Sequence, residues 1–174
     1  NYLFFVASEY ARILPKSSRF ISRLSAQGVG TTKIVAKSHD IFATPRLVKF
    51  REMEYSIPLS YFREAVEEVK ERIEAKKYEV HFPLECRVVK GDDIWLSPSY
   101  KRDSAYIAFH MYKGMPYEEY FRDMEGLMKK YEGRPHWGKM HFLTKEELHK
   151  LYPKLDDFLA VKKELDPQNI FWHM

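Results

Sequence analysis

Cysteine is almost missing from this sequence: Cys86 stands alone among 174 residues. A single thiol closes no internal disulfide, so cysteine usage gives no argument for export, and a cytoplasmic chain is expected. No apolar run approaches the roughly 20 residues that cross a bilayer. Internal repeats and low-complexity stretches are absent. The glycine pair in Gln27-Gly28-Val29-Gly30 follows no strand and lacks a third glycine, so it reads as a turn and not as a dinucleotide loop. Methionine is missing from position 1, where Asn1 stands, and the expectation is a processed, trimmed or partial chain.

What is present describes a globular chain, 45% hydrophobic and 31% charged. The aromatic share of 16% is high, as for a thick core, a ring-lined cleft or a buried interface. Charge is uneven. Through Arg51, nine Lys and Arg meet only Glu9 and Asp40, a balance of +7 that leaves −3 for the rest of the net +4. A basic first third raises one alternative, a binding module for nucleic acid or an acidic protein. The basic residues are spaced singly, and no RNA-binding sheet motif or helix-turn-helix signature accompanies them, which favours a solvated or partner-covered face and no nucleic-acid partner.

Residues 1–26 look helical with a break at Pro15, and 34–45 fit strand or loop. From Leu47 the pattern sharpens. Met53, Tyr55 and Ile57 alternate with Glu52, Glu54 and Ser56, a strand with one wet face that Pro58 ends. Leu59, Phe62, Ala65, Val66, Val69 and Ile73 fall at helical spacing. Strands are expected at 79–90 and 104–112, and a helix opening at Pro116 carries Tyr120, Phe121, Met124, Leu127 and Met128 on its buried stripe. Thr144 and Glu147 form a capping box with Leu143 set to staple onto Leu148, and a last helix runs from about Lys154 to Leu165. This order predicts an α+β fold, an antiparallel sheet with helices mainly on one face.

The stretch His81-Phe82-Pro83-Leu84-Glu85-Cys86-Arg87 sets an acid and a guanidinium two apart. At strand period they share a face roughly 6–7 Å apart, with Cys86 turned the other way as a small core residue. The bland reading is a surface ion pair worth little. His81 and Pro83 on the same face, and Trp95 and Leu96 just beyond, favour a site instead. In "SAYIAFHMY", His110 lies on the face with Tyr106 and Ala108 and joins Glu85 and Arg87 if the two strands pair. In "GRPHWGKMHF", Arg134, His136, Lys139 and His141 crowd around Trp137 and Gly138. Lys139 there has either a lowered pKa or a fixed positive charge for a developing oxyanion. His110, His136 and His141 as metal ligands match no standard helical zinc spacing, so no metal is expected.

Together, "FREMEYSIP" (50–58), "LECRVVKGDDIWLSP" (84–98), "AFHMY" (108–112), "RPHWGK" (134–139) and "LDPQNIF" (165–171) resemble the C-terminal substrate half of FAD-linked sugar oxidases. These are the aldonolactone and alditol oxidases among the vanillyl-alcohol-oxidase-like flavoproteins. The resemblance implies hydride transfer from a substrate carbinol to FAD bound mainly by a separate lobe, with a small polyhydroxylated substrate. It implies that Glu85 and Arg87 grip substrate hydroxyls, that Lys139 is the active-site lysine, and that His110 supplies a further pocket residue. Which of these groups is the base stays open. His136 and His173 are the cofactor-facing residues it suggests. Residues 47–174 would be the substrate (cap) domain and 1–46 a segment packing on its core or on the FAD-binding lobe, which this chain does not match. The terminal motif departs from the family's D-P-x-G-x-F-x-N, with Asn169 for the glycine and His173 for the asparagine.

Overall fold

The computed structural model describes residues 2–28, 33–43 and 47–171. Four strands form one antiparallel sheet in the order β2-β3-β1-β4, with β1 at Phe50–Pro58, β2 at Glu85–Val89, β3 at Ser104–Tyr112 and β4 at Arg134–Pro135. The fold is α+β, as the element order predicts. Helices α1 (Tyr2–Ile13) and α2 (Ser18–Gly28) flank a short 3-10 turn at Pro15–Ser17, and α3 (Ser38–Phe42) is brief. The turn expected at 27–30 lies largely outside the described residues. Between the strands run α4 (Phe62–Lys76) and α5 (Glu118–Lys130), followed by α6 (Lys145–Leu151) and α7 (Leu155–Leu165). No described helix is long and apolar enough to cross a membrane.

Strand alternation sorts the side chains into two layers. Met53, Tyr55, Ile57, Ile107, Phe109 and Met111 are buried on one face, with Ala65 and Val69 of α4 and Tyr120, Phe121, Met124 and Met128 of α5 in the same core cluster. Each large side chain removed from water there contributes about 1.5–3 kcal/mol. Thr144 accepts from the Glu147 N–H while the Glu147 carboxylate accepts from the Thr144 N–H, so the capping box opens α6 as expected.

Four expectations change. Within the stretch 34–45, expected as strand or loop, Ser38–Phe42 is the short helix α3. The strand foreseen at 79–90 pairs only over Glu85–Val89, because Pro83 has no N–H to give to a ladder. Cys86 is exposed, not a core residue: β2 is the sheet edge, and all five of its residues are exposed. The face carrying Glu52, Glu54 and Ser56 is not wet, since Glu54 and Ser56 are fully buried. β1 is a central strand paired on both sides, and the chain after β4 continues along it, with the His136 N–H donating to the Glu54 carbonyl at 2.9 Å and the Met140 N–H to the Glu52 carbonyl at 3.0 Å.

α5 ends in a paired-bond cap that delivers the chain to β4. The Gly133 N–H donates to the Met128 carbonyl at 2.9 Å and the Glu132 N–H to that of Lys129 at 3.2 Å, with Glu132 in the left-handed region at φ 54°. A Cβ on Gly133 would sit 2.7 Å from the Met128 carbonyl oxygen, backbone that has nowhere to move. Asn169 is also left-handed, φ 53°, at the position where the sugar-oxidase motif carries glycine; asparagine is among the few residues that tolerate this. Gly133→Ala is expected to lower stability by about 1–3 kcal/mol, seen as a shifted urea midpoint at unchanged slope. An unshifted midpoint would show that the cap yields more easily than this packing allows.

Candidate active site

The polar face is built by register. Glu52 lies opposite His110, and Glu54 opposite Ala108. Ala108 also faces Glu85, and Tyr106 faces Arg87. Arg134 lies opposite Ser56 at the other edge. Glu52, Glu54, Ser56, Glu85, Arg87, Tyr106, Ala108 and His110 therefore share one side of the sheet. Ala108 presents only a methyl group between Glu54 and Glu85, and the Arg87 side chain uses that gap to reach across β3.

Lys139 arrives on the same side from the segment after β4. The Lys139 N–H donates to the His136 carbonyl at 3.1 Å, so 136–139 is a tight turn set between the two backbone bonds to β1. Gly138 shows no left-handed backbone, and a Cβ there would stay 3.4 Å from the His136 ring, so the freedom expected of this glycine is not used. The Trp137 indole N–H donates to the Leu96 carbonyl at 2.8 Å, and Arg134 donates to the Tyr100 carbonyl at 2.9 Å. These bonds tie the 91–100 loop to β4, and Ser56 joins them through the Pro98 carbonyl at 3.1 Å.

At the centre is Glu54, whose side chain is 0% exposed. One carboxylate oxygen accepts from the Arg87 guanidinium and the other from the Lys139 ammonium. Lys139 donates also to Glu52 at 2.5 Å, and His110 Nε2 stands 3.2 Å from that same Glu52 oxygen. Glu85 occupies the rim, 55% exposed, with the half-exposed Arg87 Nε 3.5 Å away. Arg87 thus pairs mainly with Glu54, not with Glu85. Glu54 and Glu52 are the residues that sequence reasoning missed: period-two alternation put them on a solvated face, although they stand in one of the five quoted motifs.

Electrostatics follow from this geometry. Burial acts to raise the Glu54 pKa, but the hydrogen bonds from Lys139 and Arg87 outweigh it and hold the carboxyl below its ordinary value. Burial acts to lower that of Lys139, but its hydrogen bonds and charge pairing with Glu52 and Glu54 raise it overall, so its pKa is not lowered and the side chain carries its positive charge at pH 7. Burial depresses the pKa of His110, which is neutral at pH 7; its ring stacks on Phe82 at 5.8 Å and meets Phe50 edge-on at 5.0 Å. His136 Nδ1 accepts from the Gly138 N–H at 3.1 Å, which leaves Nε2 as the ring's N–H donor. His173 lies outside the described residues. Among the described residues no group of three or more His, Cys, Asp or Glu is placed to hold a metal ion.

Two cavities, of about 250 and 590 Å³, lie at the start of α5 among residues such as Tyr78, Met115 and Glu119, away from the charged cluster.

A family model described as D-arabinono-1,4-lactone oxidase matches residues 1–174, N-terminal helices included. The chain belongs to this family. It is 41% identical over 160 residues to L-gulono-1,4-lactone dehydrogenase of Mycobacterium tuberculosis, covering 92% of this chain and 37% of that protein. It is 40% identical over 139 residues to L-gulonolactone oxidase of Bos taurus, covering 77% of this chain and 32% of the relative. Similarity to the alditol oxidase of a Streptomyces species is 33% over 124 residues, 69% of this chain and 29% of the relative. The chain therefore spans between 29% and 37% of the length of these relatives.

Removing one cation from a buried carboxylate strands its charge. Lys139→Met is expected to cost about 3 kcal/mol at pH 7. The folded pKa of Glu54 lies below the ordinary 4.5, so its ion pairs stabilise the fold fully above that pH and cease to as pH falls through the lowered value. The penalty of Lys139→Met should accordingly shrink in acid. Urea midpoints measured from pH 3 to 7 test this, and a penalty independent of pH would remove Glu54 from the explanation.

Proposed function

We propose that this chain forms the substrate-binding wall of an FAD-dependent oxidoreductase that converts a carbinol of a sugar lactone or polyol to a carbonyl. One observation carries the reading: two fixed cations, Arg87 and Lys139, and an open carboxylate, Glu85, stand on one side of the sheet, with Arg87 and Glu85 half-exposed and Lys139 largely covered. A neutral polyhydroxylated molecule offers oxygens to both cations and a hydroxyl proton to the acid.

Oxidation breaks the carbinol C–H and O–H bonds and makes a C=O bond. FAD, when bound, supplies the acceptor for the hydride and its electron pair. Of the carboxylates on this face, Glu54 has both oxygens occupied and Glu52 is bound by Lys139 and His110, whereas Glu85 is free to take the hydroxyl proton. Arg87 fixes a neighbouring oxygen, and Lys139 stabilises the negative charge that grows on the reacting oxygen as its proton leaves. Neutral His110 acts through Glu52, to which it can donate from Nε2, and helps hold Lys139 in place.

FAD would be met from this side by the Nε2–H of His136, a donor suited to the carbonyl-rich flavin ring, with His173 a second candidate. The other wall of the site and most of the flavin contacts belong to an FAD-binding lobe of the same enzyme. Tyr2, Leu3, Val6 and Tyr10 of α1, with Phe20 and Leu24 of α2, are exposed and suit a surface that such a lobe covers. Residues 1–46 are in this view an interface segment and 47–174 the substrate domain, and the chain alone binds little flavin and oxidises nothing.

In the FAD-loaded full-length protein, Glu85→Gln should slow flavin reduction by L-gulono-1,4-lactone or an alditol by about 10²–10⁴-fold. Anaerobic stopped-flow absorbance measures this directly, and a variant with nearly normal rates would take Glu85 out of the proton transfer.

A further inference from the structure

Two ion pairs converge where a strand would ordinarily place one solvated acid. Glu54 is wholly buried, sits in the middle of the central strand β1, and gives one oxygen to Arg87 and the other to Lys139. The two cations come from opposite directions. Arg87 reaches from the edge strand β2 across the methyl group of Ala108, and Lys139 comes from the turn that follows β4. The Glu54 carboxylate is the group to which the guanidinium and the ammonium are both bonded.

We propose that Glu54 is a positioning residue of the reaction: it sets the spacing and orientation of Arg87 and Lys139, and so matches the two cations to neighbouring oxygens of the substrate. The proposal rests on the function inferred above. Glu54 itself touches no substrate, since both of its oxygens are occupied and it is closed off from solvent. Its carboxylate is rigid and planar, so two donors on its two oxygens are held a few ångströms apart at a defined angle. Adjacent oxygens of a vicinal diol, or a ring hydroxyl beside a lactone carbonyl, have a similar short spacing. Without Glu54, Arg87 keeps only the exposed Glu85, and Lys139 swings towards Glu52, its other partner. The cations then separate, and a misplacement of about 1 Å at a reacting centre is enough to cost about 100-fold in rate.

A second buried carboxylate provides the control. Glu125 on the helix side is 4% exposed and accepts from the Tyr55 hydroxyl at 2.5 Å and the Phe142 N–H at 2.7 Å, on the opposite side of the sheet from Lys139. Glu54→Gln, Glu54→Asp and Glu125→Gln would be made both in this chain and in the FAD-loaded full-length protein. In the chain, the Lys139 side chain is titrated by NMR through its Cε and Nζ resonances. In the holoenzyme, flavin reduction by L-gulono-1,4-lactone is followed anaerobically. The expected result is that Glu54→Gln moves the Lys139 titration to lower pH and lowers the limiting reduction rate about 100-fold. Glu54→Asp, one methylene too short to span both cations, should give an intermediate rate. Glu125→Gln should destabilise the protein while leaving the Lys139 titration and the limiting rate as in the wild type. An unmoved Lys139 titration in Glu54→Gln, or a wild-type limiting rate beside a moved titration, overturns the proposal. Equal rate losses in Glu54→Gln and Glu125→Gln would assign Glu54 a merely structural role. A wild-type holoenzyme whose flavin neither the lactone nor an alditol reduces sinks the proposed function and the catalytic half of this inference with it, while the titration still decides whether Glu54 holds Lys139.

Discussion

A carboxylate with no access to water, shared between a guanidinium and an ammonium from distant parts of the sequence, organises the polar side of this protein. Burying Glu54 alone would cost several kcal/mol, and only well-placed counter-charges offset that. The demand is mutual. Arg87 on an edge strand and Lys139 in a short turn are long, rotamer-rich side chains, and ordering either one opposes folding. Their common partner restricts both. The cluster of Glu52, Glu54, Arg87 and Lys139 carries two charges of each sign, so the charges within it offset one another. Glu85 adds a further negative charge at the rim, where water still screens it.

The sheet explains how one strand serves two chemistries. Odd-numbered residues of β1 and β3 fill an aromatic and methionine-rich core under α4 and α5, and even-numbered residues make the charged wall. The order β2-β3-β1-β4 places β1 centrally, so its acids meet cations from both flanks. Small residues matter as much as charged ones: Ala108 leaves the passage for Arg87, and Gly133 lets α5 close tightly enough to start β4 in register with Ser56. The loop 91–100, held by Trp137, Arg134 and Ser56, fixes the far end of the same wall.

Much of this was legible in the sequence, because periodicity reports burial well where one face is apolar. The strands at Phe50–Pro58 and Ser104–Tyr112, the helices from Phe62 and near Pro116, and the Thr144–Glu147 box follow from local pattern alone. The placement of Glu85, Arg87 and His110 on one face also follows from alternation once β2 and β3 pair. What alternation cannot express is whether a polar face is solvated or covered. Glu54 and an ordinary surface glutamate in a strand leave the same mark, and only the register with distant Arg87 and Lys139 separates them. Cys86 failed for the converse reason: its alternation is that of a core position, but it lies on the edge strand, all five of whose residues are exposed. The family motifs contained the missing fact, since the acids of "FREMEYSIP" and the cations of the other motifs are the two halves of one charge cluster.

The central claim is that this charged wall is where a polyhydroxylated substrate is held. A crystal structure of the FAD-loaded full-length protein with L-gulono-1,4-lactone bound tests it most directly. The account predicts lactone oxygens within hydrogen-bond reach, about 2.7–3.2 Å, of both the Arg87 guanidinium and the Lys139 ammonium, with Glu85 facing a lactone hydroxyl. A lactone bound away from this face, with Arg87 and Lys139 in contact only with the protein's own carboxylates, would contradict it.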